Sequence, residues 1–408
     1  MEYKNAVEKL KKYGQMHVLK YYDDLDEAQR NQLLMQINDI DFSMLSLCGQ
    51  DVSVTPKGVV TPIEALQLKD IEINQTEYVK LGIEIIRQQK TAAVLLAGGM
   101  GTRLGSDDPK GMYNIGITKE VYIFQRLFEN LMDVVKLTGS WIYLFIMTSE
   151  KNHDITIDFL KKHQFFGYNE AYIYFFKQQM APAADYFGKV FMEEKYKIAV
   201  SPNGNGGWFS SMLKTEIMDI IQTQKIEWLN VFAVDNVLQR ICDPCFIGAV
   251  VSGGFKSGAK VVKKVSPDEK IGVMCLEDGH PSIVEYYELN DALKNTRDAN
   301  GHPAYNFGVI LNYLFKTEDL LNIVQKRLPL HRVEKKINHI DESGSYVKPE
   351  KPNGYKFETL ILDMIHLFDN CLPFEVDRNK EFAPIKNKTG IDSVESARRL
   401  CQKNNIDL

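Results

Sequence analysis

The sequence has no long apolar run, no excess of basic residues and little cysteine. Its longest candidate run, residues 141–147, has the length of a strand, well short of the ~20 residues that span a bilayer. The net charge of −5 disfavours a nucleic-acid or anionic-membrane partner, because both require a basic surface. The N-terminal stretch resembles an amphipathic helix rather than a signal peptide, so we expect a cytoplasmic protein.

Six cysteines are scattered over 408 residues, and only Cys242 and Cys245 stand at a spacing that is familiar from metal sites. A structural zinc site needs four ligands, and no second cysteine or histidine pair is suitably spaced. We therefore interpret the cysteines as ordinary reduced thiols, as expected in the cytosol.

The composition, 44% hydrophobic and 25% charged, is that of a globular protein with a sizeable core. The length indicates two or three structural units, at ~100–200 residues per domain. We expect a helical N-terminal segment over residues 1–90, including a helix capped by Asp24 and a short helix opened by Thr61 and Pro62. The main domain is expected over residues 91–390, and a short C-terminal helix over residues 391–408.

Strands and helices alternate from residue 91 onward. Apolar runs predict strands at residues 92–97, 141–147, 171–176, 229–234 and 260–265. Helical periodicity is found at residues 120–136, 153–163, 244–253 and 356–368. This alternation predicts an α/β protein with an open, mostly parallel sheet and helices on both faces. Ligands bind at the carboxyl ends of the strands in such sheets.

A glycine-rich loop follows the first of these strands directly, in the segment VLLAGGMGTRLGSDDPK at residues 94–110. Glycines let several backbone N–H groups approach phosphate oxygens together and form an anion-binding nest. Arg103 adds a bidentate donor and Lys110 adds a point charge for phosphate.

Two other nucleotide-binding loops are excluded by spacing. The P-loop pattern GxxxxGK[ST] does not occur in the sequence. The dinucleotide-binding pattern GxGxxG is missed by one residue between Gly99 and Gly105, and the Asp-Asp-Pro that follows is a poor helix start. The loop therefore favours nucleotidyl transfer over an ordinary glycine turn.

Further motifs follow in order: FFKQQMAP (175–182), SPNGNGGWF (201–209), VFAVDN (231–236), DPCFIG (243–248), GAKVVKKVSPDEKIGV (258–273), VEYYEL (284–289), YNFGVI (305–310), KPEKPNGYKFE (348–358) and EFAPIKNKTG (381–390). With LLAGGMGTRLGSDDPKGMYNIG (95–116), this series resembles the UDP-N-acetylhexosamine pyrophosphorylases, within the UDP-glucose pyrophosphorylase (UDPGP type 1) group. The resemblance covers roughly residues 60–390.

The resemblance implies a Rossmann-like, GT-A-like mixed sheet flanked by helices, with residues 91–390 as a catalytic nucleotidyltransferase domain. It implies that UTP and a sugar-1-phosphate, with N-acetylglucosamine-1-phosphate favoured, give a UDP-sugar and pyrophosphate. Such a reaction needs alignment and charge neutralisation rather than a general base, because the attacking phosphate is already an anion. The alternatives are UDP-glucose or UDP-galactose formation on the same fold, or a non-catalytic UDP-sugar-binding protein.

The resemblance also implies roles for individual residues on the nucleotide side. Contacts with the nucleotide are expected from Gly98, Gly99, Gly101, Gln178, Gly204 and Asn205, with Gln178 at the uracil edge, where an amide offers both a donor and an acceptor. Phosphate contacts are expected from Arg103, Lys110 and Lys386. Asp235 ends an apolar strand, and a carboxylate there is a typical hard ligand for Mg²⁺.

The sugar side departs from the family pattern. Gly272, Glu285 and Asn306 match positions that contact the sugar. A family asparagine is replaced by Val309, however, and two family phenylalanines near the acetyl group fall at Leu360 and Leu362. The identity of the hexose therefore stays open at the level of the sequence.

Overall fold

The computed structural model describes residues 1–48, 58–324, 326 and 328–408. The helices in these ranges are α1 (Tyr3–Lys12), α2 (Glu27–Asp39), α3 (Leu68–Arg87), α4 (Ile123–Thr138), α5 (His153–Lys162), α6 (Trp208–Met212), α7 (Ile217–Thr223), α8 (Pro244–Ser252), α9 (Asp291–Asn295), α10 (Thr317–Ile323), α11 (Ile361–Ile365), α12 (Arg378–Glu381) and α13 (Val394–Lys403). None of these helices combines the length and the apolar character needed to cross a bilayer.

The strands in the same ranges are β1 (Val60–Pro62), β2 (Thr91–Leu96), β3 (Tyr143–Thr148), β4 (Ile173–Lys177), β5 (Met180–Pro182), β6 (Met192–Glu194), β7 (Lys197–Ile198), β8 (Val200–Pro202), β9 (Trp228–Ala233), β10 (Ser257–Lys263), β11 (Val273–Glu277), β12 (His280–Val284), β13 (Phe307–Lys316), β14 (His331–Lys335), β15 (His339–Ile340), β16 (Tyr346–Val347), β17 (Gly354–Glu358) and β18 (Leu372–Glu375).

The described residues divide into two compact units. The first unit draws on residues 1–57, 179–207 and 328–361, and the second on residues 58–178, 208–327 and 362–408. The predicted boundary at residue 90 therefore falls inside the second unit, because helix α3 belongs there. The predicted boundary at residue 391 also falls inside this unit. Residues 49–57 of the predicted N-terminal segment lie outside the described residues.

The first unit packs α1 and α2 against short strand pairs, β5 with β8 and β14 with β17. Its core includes Leu33, Ile37 and Phe357, which are fully buried. Helix α2 begins with a capping box in which Asp26 accepts from the Gln29 amide. The predicted cap Asp24 was wrong by two residues, because Asp26 is the residue with a glutamine at the third helical position.

The second unit is built on one sheet of ten strands within the described ranges. Its order is β1-β11-β13-β9-β2-β3-β4, with β12 paired to β11, and with β10 paired to β13 and β18. Strands β9, β2, β3 and β4 are parallel, whereas β13 runs antiparallel to β9. Strand β2 is buried along its whole length, as expected for a parallel strand covered on both faces. The predicted mixed sheet with flanking helices is confirmed. The prediction of a mostly parallel sheet was wrong, because β1, β10, β11, β12 and β13 all form antiparallel pairs.

Two segments predicted as helices fold differently. Residues 60–62 form edge strand β1, antiparallel to β11, and an edge position tolerates Pro62 because the missing N–H is not needed there. Residues 354–358 form β17, which pairs with β14, and helix only follows in the short α11. Helical spacing over residues 356–368 was thus outweighed by strand pairing.

Helices α3 and α8 cross so closely that each needs a glycine at the contact. A Cβ on Gly82 would lie 1.9 Å from the Pro244 carbonyl oxygen, and a Cβ on Gly248 would lie 1.9 Å from the Tyr78 carbonyl oxygen. Backbone carbonyls held in helices cannot yield as a flexible side chain can. This contact joins α3 to the sheet unit rather than to the helices before it.

We expect Gly248→Ala to lower the free energy of unfolding by about 1–3 kcal/mol, because the added methyl forces α3 and α8 apart. Denaturant unfolding followed by circular dichroism measures the loss. Ser252→Ala, at the end of the same helix, is the matched control and should change stability by less than about 0.5 kcal/mol. Equal stability of Gly248→Ala and the wild type would contradict the close packing.

Candidate active site

The glycine loop after β2 closes on itself. The Gly101 amide donates to the Asp108 carbonyl at 2.8 Å, and the Lys110 amide donates to the Gly99 carbonyl at 3.1 Å. These bonds return Lys110 to the start of the loop. A Cβ on Gly99 would meet no atom within 4 Å, so the backbone at Gly99 faces open space, where a phosphate can approach.

Gln178 meets the same loop from the end of β4. A Cβ on Gly98 would lie 2.9 Å from the Gln178 Oε1 atom. The backbone N–H of Gln178 donates to the Thr148 carbonyl at 2.7 Å. Buried Asn152 donates from Nδ2 to the Ala97 carbonyl at 2.9 Å. The ends of three parallel strands are therefore tied together. Asn152 was not predicted, because nothing in its sequence neighbourhood signals a contact that depends on the fold.

Lys110 and Asp235 form an ion pair at the carboxyl edge of the sheet. The Lys110 Nζ lies 3.7 Å from Asp235 Oδ2, and the two side chains are only 17% and 22% exposed. Burial lowers the pKa of the Lys110 ammonium, Asp235 opposes this shift, and the nearby Arg103 and Lys386 cations add to it. Three predicted phosphate-binding cations thus share one electrostatic environment with the predicted metal ligand.

Lys386 reaches this edge because the chain around it pairs with the end of β9. The Ile385 amide donates to the Asp235 carbonyl at 2.9 Å, and Asn236 forms a β-bridge with Pro384. The Asn236 side chain donates to the Glu381 carbonyl at 2.7 Å. Asp235 and Lys386 are therefore fixed by one short backbone ladder.

Asp392 is a charged neighbour of this cluster that the sequence did not predict. Its Oδ2 lies 2.9 Å from the Lys386 Nζ. The spacing of Lys386 and Asp392 matches no regular periodicity, so only the turn between them brings the two charges together.

The NGNGG turn lies in the first unit and packs on the chain beyond β17. The Thr359 amide donates to the Asn203 carbonyl at 2.7 Å, and the Ile361 amide donates to Asn205 Oδ1 at 2.9 Å. Gly204 has φ +84, and a Cβ there would lie 2.2 Å from the Thr359 carbonyl oxygen. Both the dihedral and the close approach therefore require glycine at this position.

Gly272 and Glu285 flank the base of the β11–β12 hairpin, whose last pair is Val273 with Val284. A Cβ on Gly272 would lie 3.7 Å from the carboxyl carbon of Glu285 and 3.6 Å from a Val309 methyl. The structure thus brings two of the three predicted sugar residues together. Val309, where the family has asparagine, adds an apolar surface beside them.

Asn306, the third predicted sugar residue, precedes β13. Its carbonyl accepts from the Lys264 amide at 2.9 Å, and the residue lines a cavity of about 110 Å³ with Lys264 and Tyr305. Burial lowers the pKa of the Lys264 ammonium. The structure therefore places Asn306 beside a lysine at a small cavity, and the Lys264 Nζ donates to the Pro267 carbonyl at 2.7 Å.

A buried ionic network lies beneath the Asp235–Lys386 edge. The Lys260 side chain is fully buried, and its Nζ donates to Asp243 at 3.0 Å, Glu381 at 2.6 Å and the Arg240 carbonyl at 3.2 Å. Burial opposes ionisation of both carboxyls. Lys260 offsets this for Asp243, whose pKa is lowered, whereas the pKa of Glu381 remains raised.

Comparison with known proteins decides the family. The sequence profile described as UTP–glucose-1-phosphate uridylyltransferase matches residues 45–407. The chain belongs to this family. A mouse relative, "UDP-N-acetylhexosamine pyrophosphorylase-like protein 1", is 35% identical over 407 residues, which cover 94% of this chain and 80% of the relative. A yeast (Saccharomyces cerevisiae) relative, "UDP-N-acetylglucosamine pyrophosphorylase", is 32% identical, with 94% and 86% covered.

Solved structures of family members agree with the observed fold. A "putative UDP-N-acetylglucosamine pyrophosphorylase" from Entamoeba histolytica has a TM-score of 0.78 at 32% identity, covering 85% of this chain and 88% of the other. The "uridine diphosphate N-acetylglucosamine pyrophosphorylase" of Trypanosoma brucei has a TM-score of 0.81 at 23% identity, with 97% and 84% covered, and supports the fold alone. The predicted resemblance and the predicted class, a pyrophosphorylase-type nucleotidyltransferase, are confirmed.

Proposed function

We propose that this family member forms UDP-N-acetylglucosamine and pyrophosphate from UTP and N-acetylglucosamine-1-phosphate. A phosphate oxygen of the sugar-1-phosphate attacks the α-phosphorus of UTP and forms a new P–O bond. The bond between the α-phosphorus and the bridging oxygen to the β-phosphate breaks, and pyrophosphate leaves with that electron pair. One phosphoanhydride replaces another, so the reaction runs in both directions.

The grouping of Arg103, Lys386 and Asp235 around Lys110 carries this proposal. Three cations at the carboxyl edge of a parallel sheet neutralise the phosphates of the triphosphate and of the attacking sugar-1-phosphate. The partial burial of Lys110 strengthens its field, because fewer waters screen it. The open backbone at Gly99, with Gly98, supplies N–H donors to the same phosphates. The Gly101 amide is bonded to the Asp108 carbonyl, so the nucleotide contact proposed for Gly101 does not use that N–H group.

Uridine recognition is proposed for Gln178, Gly204 and Asn205. The Gln178 amide sits against the glycine loop, where it can offer a donor and an acceptor to the uracil edge. Sugar hydroxyl contacts are proposed for Glu285, beside Gly272, and for Asn306. A carboxylate that accepts two hydroxyl hydrogen bonds is a suitable clamp for a hexose.

The residues at Asp235 fit the Mg²⁺ that the sequence predicts. Among the described residues, no three His, Cys, Asp or Glu side chains are grouped to hold a metal ion. Mg²⁺ commonly uses one or two carboxylates and completes its shell with waters and substrate phosphates, so a single carboxylate suffices. Asp235 would hold the ion, which supplies charge neutralisation at phosphate oxygens when bound.

We also propose a cytoplasmic location. All six cysteines lie in the described residues and are free thiols, five of them buried. Proteins that fold in oxidising compartments more often pair their cysteines. Tagging the chain with a fluorescent protein and imaging it in cells tests this location, and a signal confined to an organelle would contradict it.

The proposed substrate is tested by a pyrophosphate-release assay with UTP and a panel of sugar-1-phosphates. We expect the highest kcat/KM with N-acetylglucosamine-1-phosphate, at least about tenfold above glucose-1-phosphate, because a site shaped for the acetyl group gains about 1–3 kcal/mol from it. The relatives that are 31–35% identical and carry N-acetylhexosamine names support this order.

Two outcomes of that assay would change the proposal. A preference for glucose- or galactose-1-phosphate would show that the same reaction uses a different sugar, and would replace N-acetylglucosamine-1-phosphate as the proposed substrate. The absence of turnover with every sugar-1-phosphate would refute the proposed function. ATP and CTP serve as controls for the uridine preference, since Gln178 is expected to reject both bases.

A further inference from the structure

A single residue, Asp392, makes two contacts with Lys386 and a third with the next residue, Asn387. The Lys386 Nζ lies 2.9 Å from Asp392 Oδ2. The backbone amides of Lys386 and Asn387 both donate to the Asp392 carbonyl, at 2.6 and 3.0 Å. Side chain and main chain of Asp392 therefore fix both the backbone and the charged end of the lysine.

Asp392 itself is fixed by the turn in which it lies. Its φ of +51 is a left-handed conformation that aspartate tolerates better than most residues. The next residue, Ser393, caps helix α13, and its Oγ donates to the Gly390 carbonyl at 2.7 Å. The backbone that carries the Asp392 carboxylate is thus fixed by the start of helix α13.

A lysine in this position needs such an anchor. The Lys386 side chain is 40% exposed, and its four-carbon stem samples many rotamers when it is unrestrained. The ammonium carries three N–H donors. One donor engages Asp392, which leaves two for phosphate oxygens. On its other side, the chain at Ile385 is bonded to the Asp235 carbonyl, so Lys386 is supported between two aspartates.

We infer that Asp392 is a positioning residue for uridylyl transfer, which acts by holding the Lys386 ammonium in the geometry that meets a phosphate. The inference rests on the proposed function, because Lys386 meets a phosphate only if the chain handles UTP and a sugar-1-phosphate. Asp392 does not touch substrate in this scheme. Its effect passes entirely through Lys386.

The test is a double-mutant cycle in the pyrophosphate-release assay. Asp392→Asn keeps the size and the tolerance of positive φ but removes the charge. We expect it to lower kcat by about tenfold with little change in KM, because a displaced catalytic group loses transition-state contacts. In a Lys386→Met background the same change should lower kcat by less than about twofold. Asp278→Asn, at φ +50 in the β11–β12 turn, is the matched control and should leave kcat unchanged.

Each outcome of the cycle decides the matter. Additive losses in the single and double variants, or an unchanged kcat for Asp392→Asn, would overturn the positioning role. If Asp392→Asn unfolds at the assay temperature, Asp392→Gly removes the carboxylate and suits the same φ. Absence of turnover by the wild-type chain with every sugar-1-phosphate would instead refute the proposed function and this inference with it.

Discussion

Replacement of Lys110 by methionine is expected to lower kcat by about 10²–10³-fold. The Lys110 ammonium lies 3.7 Å from Asp235 and is mostly buried, so its charge acts in a weakly screened environment. Charge builds on the departing pyrophosphate in the transition state, and methionine fills the same space without a charge. Steady-state rates of pyrophosphate release measure the loss.

A measurement of ligand affinity distinguishes a Lys110 that stabilises the transition state from a Lys110 that only contributes to ligand binding. Calorimetric titration with UDP-N-acetylglucosamine should show a smaller loss of affinity than of kcat, because the product lacks the departing pyrophosphate. Lys119→Met is the matched control, since that lysine is 52% exposed and pairs only with Asp407 among the contacts described. A kcat for Lys110→Met within about tenfold of wild type would contradict the proposed role.

Replacement of Lys260 by methionine is expected to lower the free energy of unfolding by about 3–5 kcal/mol at neutral pH. The substitution removes the cation that Asp243 and Glu381 share. The two buried carboxyls then keep only the weaker pairing with Arg240, which lies 3.7 Å from Asp243, among the ion pairs of the described residues. Desolvation then raises the pKa of both groups in the folded state. Because the folded variant binds protons more tightly than the unfolded chain, its stability falls as the pH rises, and the loss should be smaller at about pH 5 than at about pH 8.

Two further variants test whether the loss of stability comes from buried charge. Lys90→Met removes an exposed ion pair with Glu227 and should lower stability by no more than about 1 kcal/mol. Adding Glu381→Gln to Lys260→Met removes one of the two buried carboxyls that lost Lys260 and should restore part of the loss. Chemical denaturation at both pH values measures all three proteins, and a loss for Lys260→Met that does not depend on pH would contradict the buried-charge explanation.

The parallel part of the sheet was predictable from sequence because its strands are buried on both faces and leave continuous apolar runs. Strands β2 and β9 fall within one residue of their predicted bounds. The antiparallel part was harder, since strand β1 was taken for a helix from the Thr61-Pro62 pair. The secondary structure of such segments is determined by pairing with strands that lie far apart in sequence, and this pairing outweighs local propensity.

The candidate site divides in the same way. Lys110, Asp235 and Lys386 were predicted, because each stands in a motif that belongs to an ordered series, and the structure groups them. Asp392 and Lys260 were missed. A lysine within an apolar strand signals nothing until the fold shows that carboxylates surround it, and an aspartate six residues from a lysine has no regular spacing to mark it.

The ladder that joins Asp235 to Lys386 also means that the candidate site is completed late in synthesis, because its two sides lie far apart in the sequence. Strands β2, β3, β4 and β9 are all present once residue 233 has been translated. The hydrogen-bond partner of the Asn236 side chain, the Glu381 carbonyl, is however translated 145 residues later. The Glu381 carboxylate that pairs with Lys260 is translated 121 residues after that lysine. A nascent chain therefore contains its glycine loop and the four parallel strands long before it contains Glu381 or Lys386, the second lysine proposed to bind phosphate. Until that last stretch leaves the ribosome, Lys260 lacks one of its two carboxylate partners, and burying its ammonium then costs more free energy than it does in the complete chain.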